Sequence, residues 1–402
     1  DPGTEWGNGL FSTADNTLRR QTSLCMGDSD GSDVFDPAAG WDGFPSDAFD
    51  GLGTHAAGCG HSKEDPSVSC ALPYTRIPSI QGSLDTAAIT GPVDTTGVVV
   101  GDFELPAGSG IRGFYIQDPA GDGDATTSDG IFVFNGNNDS VSPGDLVRVS
   151  GTAGEFQGQT QISATSVITC GTGTVAPVDV TLPLESADAL EPLEGMLVRL
   201  PQTLAVTEHF QLGRFGEVVV SSGGRLIQPT QIAPPGADAL AQQALNDLNR
   251  LTIDDRNNLQ NVDPIVFGRG GLPLSASNTL RGGDTVTGAV GVMTFTWAGN
   301  SASGNAFRVR PAGALNGSAI FQPANPRPAA APERTGTLRV AGMNLLNFFN
   351  TFGGACTGGA GGAPTDCRGA DNASEFERQW PKTIAAIVGT EADVVGIIEI
   401  EN

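Results

Sequence analysis

The sequence predicts a mainly β chain built from several domains. Its 402 residues leave room for about two to four domains. With 56 Gly, 26 Pro and only 16% charged residues, it favours short strands and tight turns over long helices. Short apolar runs recur between Gly/Asp turns along most of its length, and helical periodicity is scarce.

Residues 1–62 alternate short apolar stretches with Asp/Gly turns around Trp6, Phe35 and Trp41. That pattern suits the C-terminal part of a β-sandwich, whose small core needs staples or further strands. The chain opens on Asp1-Pro2-Gly3, in what looks like mid-domain, so the natural start is expected upstream. Residues 63–76 read as a linker. Residues 77–185 then carry about five strand signals: Val98–Val100, Gly113–Gln117, Gly130–Phe134, Asp145–Ser150 and Thr160–Ile162. Five strands with Gly, Asp and Pro turns suit an OB-type barrel. Residues 190–322 repeat the theme at Met196–Leu200, Glu217–Val220 and Asp284–Gly288. Between the last two of these lies a helical insert, Ala237 to Leu251. Its Leu240, Ala244, Leu248 and Leu251 predict one apolar face. A second, divergent OB-like module is expected here. Residues 323–336, rich in Pro and Ala, form an extended linker.

Residues 337–402 change pattern. A strand at Leu338–Gly342 leads into a Gly-rich excursion and then a helix. Ser374 with Glu377 predicts a capping box, Pro381 a kink or restart, and Ile384, Ile387 and Val388 a buried face. A strand over Asp393–Ile400 follows. This is an α/β segment too short to close a sheet.

The net charge of −24 argues at first against a polyanionic partner. The distribution changes that reading. Residues 1–194 hold 6 basic and 28 acidic side chains, whereas residues 195–322 hold 9 Arg and 8 acidic. Of the 21 basic residues all but Lys63 and Lys382 are Arg, which suits bidentate phosphate contacts. The simpler reading is an acidic surface that keeps a secreted protein in solution. No apolar run is long enough to span a membrane, and no signal peptide opens the chain. The six cysteines group locally as Cys25 with Cys59, Cys70 with Cys170, and Cys356 with Cys367, although spacing alone leaves every pairing open. Without a C-x-x-C pattern, structural disulfides in an oxidising, extracellular setting are expected.

Two apolar strands end on oxygen donors. Leu338-Arg339-Val340-Ala341-Gly342-Met343 runs into Asn344, and Gly396-Ile397-Ile398 runs into Glu399. An amide and a carboxylate on neighbouring strand ends can hold a hard cation such as Mg²⁺ or Mn²⁺. Glu399 is preferred over Glu401, which is expected on the opposite strand face. The bland reading is a surface Glu at a strand end, with Asn347 a loop-former.

The stretches Val340–Phe349 and Ala392–Asn402 resemble the secreted nucleases of the exonuclease–endonuclease–phosphatase superfamily. Ile80-Gln81-Gly82-Ser83 and Phe114–Asp118 resemble the OB-type module of bacterial extracellular nucleases, and residues 1–62 the tail of a lamin-tail-like domain. The resemblance implies a four-layer α/β, DNase I-like catalytic domain that begins at 337–402. It places the metal-ligating role on Glu399 and a site role on Asn344. The family's later catalytic His and Asp residues have no counterpart here, because His55, His61 and His209 lie outside 337–402. These residues taken alone are therefore not expected to cleave DNA.

Two further patterns carry expectations. Asp118, Asp122, Asp124 and Asp129 crowd a glycine-rich loop that suits structural Ca²⁺ or is a solvated acidic turn; Gly27–Asp33 is a weaker case. Arg199, Arg214, Arg225, Arg269, Arg281, Arg308 and Arg310, with Phe210, Phe215 and Trp297, suit a nucleic-acid backbone track with base stacking, or are scattered surface Arg around core aromatics. Arg308 and Arg310 share one strand face. The expected function is a secreted metal-dependent nuclease acting on extracellular DNA or RNA, its β-modules binding the nucleic acid. The rivals are a non-catalytic adhesion or scaffold fragment and a phosphatase of the same superfamily.

Overall fold

The structure is a computed structural model that describes residues 5–21, 36–48, 69–104, 111–297, 304–328, 333–352, 355–357 and 361–401. It divides into two compact units, Asp1–Asn325 and Pro326–Asn402. The boundary falls inside the Pro/Ala linker the sequence marks.

The first unit opens with an antiparallel pair, β1 (Thr17–Arg20) and β2 (Trp41–Phe44). A short helix, α1 (Ile77–Gln81), precedes β3 (Gly91–Phe103), β4 (Gly113–Gln117), β5 (Gly130–Phe134), β6 (Asp145–Phe156) and β7 (Gln159–Thr172). These five strands form a closed barrel in the order β3-β4-β5-β7-β6. Every ladder is antiparallel except β5–β7. Apolar strand residues fill the barrel, and α1 adds Ile77 and Ile80 to that core, both fully buried. The Cys70–Cys170 disulfide ties the segment before α1 to the end of β7.

After β8 (Val178–Asp179) come β9 (Leu197–Glu208), α2 (Leu212–Phe215), β10 (Val218–Ser222), α3 (Pro229–Ile232) and α4 (Ala237–Leu248). Then follow β11 (Leu251–Ile253), β12 (Thr285–Thr296), β13 (Ala306–Arg310) and β14 (Phe321–Gln322). The sheet runs β14-β12-β13-β11-β10-β9-β8, and β12 also pairs with β9. The ladder β9-β10-β11-β13-β12 therefore returns on itself. Its strand order repeats that of the first barrel, and again only the third-to-fifth pairing, β11–β13, is parallel.

The inserted helix corrects one expectation. Leu240 is 72% exposed and Ala244 is exposed, while Leu251 belongs to β11. The helix buries Ala239 and Asn246 instead. Asn246 donates to the Ile227 carbonyl at 3.0 Å, so a polar anchor holds the helix down.

The two rings meet across a shared apolar cluster, in which Val100, Phe103, Tyr115 and Phe132 pack with Leu197 and Val292. Polar contacts lock the junction. Leu197 N–H donates to Gln117 at 2.9 Å, and Thr160 N–H donates to buried Glu194 at 3.1 Å. A Cβ at Gly130 would lie 2.3 Å from the Gly195 carbonyl carbon. The chains pass too closely there for any side chain.

The second unit holds β15 (Val340–Phe348), β16 (Ala355–Thr357), β17 (Pro364–Asp366), α5 (Ala373–Gly389) and β18 (Val394–Ile400). β15 and β18 pair in parallel, and α5 is the crossover between them. β16 and β17 form a hairpin closed by the Cys356–Cys367 disulfide. Cys25 and Cys59 lie outside the described residues. Among the described residues of this unit there is one parallel strand pair, one hairpin and one helix. A four-layer α/β architecture is not displayed by them.

The helix cap differs from the expected Ser374/Glu377 box by two residues. Asn372 accepts from Glu375 N–H at 3.0 Å, and Glu375 accepts from Asp371 N–H at 3.0 Å. Asn is a stronger N-cap than a Ser already inside the first turn. The helix continues through Pro381. Its predicted buried face is also corrected: Ile384 is 48% and Val388 68% exposed, and Ile387 is half-buried. The helix is held instead at its start, where Phe376 meets Phe348 and Phe352 at ring distances of 5.2 and 5.7 Å. Among the described residues no helix is long and apolar enough to cross a membrane.

Candidate active site

Alternating apolar residues put Val340–Asn344 beside Val394–Ile398 in regular parallel register. The register then breaks. Phe348 pairs with Ile400, so β15 carries two more residues than β18 between Asn344 and Phe348. Leu346, Asn347 and Glu399 all adopt left-handed backbone at φ of 53°, 54° and 59°. Such conformations cost on the order of 1–3 kcal/mol each in a non-glycine residue and persist only where other contacts enforce them.

The enforcing contacts centre on the two residues expected at this site. Asn344 Nδ2 donates to Glu399 Oε1 at 2.8 Å, while Asn344 Oδ1 accepts from Leu346 N–H at 2.8 Å. Glu399 Oε2 accepts from Asn347 N–H at 3.1 Å. One amide side chain therefore fastens the bulge to the carboxylate on the neighbouring strand end. Each Glu399 oxygen keeps a second lone-pair direction, and the site is solvent-exposed.

Glu401 serves a different segment. It accepts from Asn350 N–H at 2.8 Å and Thr351 N–H at 2.9 Å, and from the Thr351 hydroxyl. The Thr351 hydroxyl and these backbone donors hold the Glu401 carboxyl below its ordinary value. On a regular strand, residues two apart share a face, so alternation does not separate Glu399 from Glu401 as expected. The left-handed backbone at Glu399 interrupts the strand between them.

A cleft of about 670 Å³ opens beside the bulge, with Asn347 in its wall. Arg368, Arg378 and Lys382 line it, together with Glu375. Arg378 and Lys382 stand one helical turn apart on α5. Arg378 donates to Ser374 at 3.3 Å, whereas the Arg368 and Lys382 side chains have no partner among the described residues. Sequence reading missed these three cations. Their signal was the 378/382 spacing on a recognised helix.

No family model matches this chain, and no curated protein matches it. Function must therefore be read from geometry.

The oxygen donors here suit a hard ion. Mg²⁺ characteristically takes one or two carboxylates and completes its shell with water and substrate phosphate, and Glu399 offers that single carboxylate. Among the described residues no three His, Cys, Asp or Glu converge into a closed ligand cage. The same holds for the acidic loop. Asp118 pairs with Arg76 at 2.8 Å, Asp129 accepts from Asp122 N–H at 3.2 Å, and Asp124 accepts from Thr126 N–H at 2.9 Å. Asp122 accepts from Asp124 N–H at 2.9 Å and from the Thr127 hydroxyl. The loop meets its own hydrogen-bonding needs as a turn. The Gly27–Asp33 stretch lies outside the described residues.

The arginine set divides. Arg308 and Arg310 do share a strand face, but that face is interior: they are 2% and 0% exposed. This corrects the expectation that they track a nucleic-acid backbone. Arg308 Nε donates to Glu217 at 2.7 Å, and Arg310 lies 2.9 Å from Asp254. Arg199 forms a bidentate pair with Asp179 at 2.7 and 2.9 Å, and Arg269 one with Asp284 at 2.7 and 3.0 Å. Arg214 lies 4.8 Å over the Phe215 ring. Arg281 is half-buried and Arg225 exposed. Of the aromatics, Phe210 is 83% exposed and Phe215 is buried.

Proposed function

We propose that the second unit contributes to the active site of a secreted, divalent-cation-dependent phosphodiesterase acting on nucleic acid, DNA in the first place. The observation that carries this reading is the 2.8 Å contact between Asn344 and Glu399 at the carboxyl ends of two parallel strands. Open α/β sheets bind ligands outside that edge. Glu399 would hold Mg²⁺ or Mn²⁺, and the bound ion would supply Lewis-acid polarisation of a phosphoryl oxygen.

The chain's own residues do the rest. Asn344 fixes the Glu399 carboxylate by donating to one oxygen, and Asn347 N–H orients the other. Both contacts reduce the freedom the carboxylate would lose on binding. Arg368, Arg378 and Lys382 offer positive charge to the phosphates flanking the scissile one, next to a carboxylate that would otherwise repel them. The two β-rings of the first unit bind and position the polymer. Their five-strand order, with one parallel pairing, is consistent with OB-type barrels. Paired cysteines suit an extracellular setting.

The test is Mn²⁺ binding followed by titration or electron paramagnetic resonance. Glu399→Gln is expected to weaken binding at least roughly tenfold, with second-sphere Asn344→Ala costing about as much. Unchanged Mn²⁺ affinity in Glu399→Gln would remove the basis of the proposal. Cleavage of plasmid DNA rather than a small aryl phosphate separates a nuclease from a phosphatase.

A further inference from the structure

A second cleft, in the first unit, lies between the two rings. Its volume is about 360 Å³, within the range of small-ligand sites. Three features define its chemistry.

The walls are aromatic. Tyr115, Phe132 and Phe134 come from β4 and β5, Phe156 from the β6–β7 hairpin, and Phe295 from β12. Phe156 stands 57% exposed at the rim, an arrangement a packed core does not explain.

The floor carries complementary polar atoms. Gln159, 4% exposed, donates through Nε2 to the Tyr115 hydroxyl at 2.9 Å. Its Oε1 has no donor among the described residues, and the Tyr115 proton has no acceptor among them. Burial pushes the Tyr115 hydroxyl well above its ordinary range, so it remains a donor. Asn258 adds a third group. Its Oδ1 accepts from Arg310 at 2.9 Å, which leaves its amide hydrogens for the cleft.

The rim is cationic. Arg112 lies 5.2 Å over the Phe134 ring and donates through Nε to the Gly136 carbonyl at 3.2 Å. Its terminal nitrogens have no partner among the described residues. In a chain with 45 acidic side chains, no carboxylate among the described residues lines this cleft. A guanidinium at the rim beside a wall without carboxylates favours a ligand that carries an anionic group. A flat aromatic ring bearing donor and acceptor edges and joined to a phosphate would use all of it.

We propose that this cleft is a subsite for an unpaired nucleobase of single-stranded nucleic acid. The base stacks against Phe156 and Phe134, its polar edge meets Gln159, Tyr115 and Asn258, and the adjoining phosphate meets Arg112. In a duplex the faces of a base are stacked on its neighbours and its Watson–Crick edge is paired, so a cleft that stacks the base favours the single strand. The buried Arg310 acts one layer behind, holding Asn258 and Thr296 in the wall. The proposal deepens the reading of the β-rings as polymer-binding modules, but its site is separate from Glu399.

The experiment is fluorescence anisotropy of a labelled 12-mer oligothymidylate with the whole protein in EDTA, where hydrolysis plays no part. A 12-base-pair duplex is the competitor. The single strand is expected to bind more tightly than the duplex. Phe156→Ala is expected to weaken binding about tenfold, in line with aromatic–base stacking. Arg112→Ala is expected to weaken it similarly and to flatten the salt dependence by about 0.7 in log–log slope. Phe156 is exposed enough that its removal leaves the thermal melt in place, so this variant decides even if Arg112→Ala folds poorly. Unchanged affinity in Phe156→Ala, equal binding of duplex, or loss in Phe210→Ala instead would overturn the assignment. Displacement by a neutral oligosaccharide would do so too. None of these outcomes touches Mn²⁺ binding at Glu399, so the two readings fail separately.

Discussion

Arg308 and Arg310 sit side by side in the interior of the second ring, where two guanidinium groups face Glu217, Asp254 and Asp255. Two positive charges against three negative leave the cluster one proton short of neutrality. Burial pushes the Asp254 carboxyl up to about 8, against the pull of Arg310 and Arg308. The arginines are wedged by backbone carbonyls too: Arg310 donates to Asp255 and Asn257, and Arg308 to Ala306 and Gly304. Removing one side of such a network strands the other. Arg310→Met is expected to cost about 3–5 kcal/mol, read as a lower denaturation midpoint in urea. The surface pair Arg199–Asp179, both nearly half exposed, is screened by solvent, and Arg199→Met is expected to leave the urea midpoint almost unmoved. The sequence made Arg199 and Arg310 look alike. Only burial separates an arginine that meets solvent from one that holds the fold.

At the scale of elements, strand positions were legible and their ends were not. Gly113–Gln117 and Gly130–Phe134 stand where their apolar runs put them, because a barrel strand buries most of what it carries. Outward-facing polar residues hid the length of β6 and β7. The bulge after Asn344 was not legible, since no glycine marks the left-handed turns at Leu346, Asn347 and Glu399. Side-chain contacts across the strand pair enforce them instead. Helix α5 shows the opposite weighting. It buries little, so its N-terminal cap carries a large share of its local stability. Asn372→Ala is expected to cost about 1 kcal/mol. Amide hydrogen exchange across 373–380 should then quicken about fivefold, while exchange in the β-rings stays as it was. The apolar face predicted for this helix failed for the same reason. Periodicity names a face, but burial requires something to cover it.

At the scale of the molecule, the first unit is two rings of the same strand order joined through a shared core. Its buried carboxylates set its response to pH. Burial holds Glu194 well above its ordinary value at the junction, and Asp254 up to about 8 in the second ring. The folded protein keeps protons there that the unfolded chain releases near 3.8 to 4.5. Unfolding therefore releases protons between about pH 4 and pH 8, and the contribution of these groups falls as pH rises across that window. Asp284 runs the other way. Burial raises it, but Arg269 and the N–H groups of Arg281, Ala324 and Asn325 outweigh that and hold it below 3.8. Its contribution is lost only as pH falls through that depressed value. Melts across pH 3 to 9 are expected to show greatest stability in the mildly acidic range and a decline toward pH 8. Greater stability at pH 8 than at pH 5 would contradict the assignment of retained protons.

The amino-acid sequence by itself determined that this chain is mainly β, where the principal barrel strands lie, and which two strand ends carry an amide and a carboxylate. Those features depend on local alternation, turn residues and strand-end chemistry, which act over a few residues. Tertiary structure alone decided the closure of β12 onto β9, the inward turn of Arg308 and Arg310, and the aromatic cleft between the rings. Each of these joins residues far apart in the chain. Their free energy comes from excluding water between surfaces that meet only after the rings have closed.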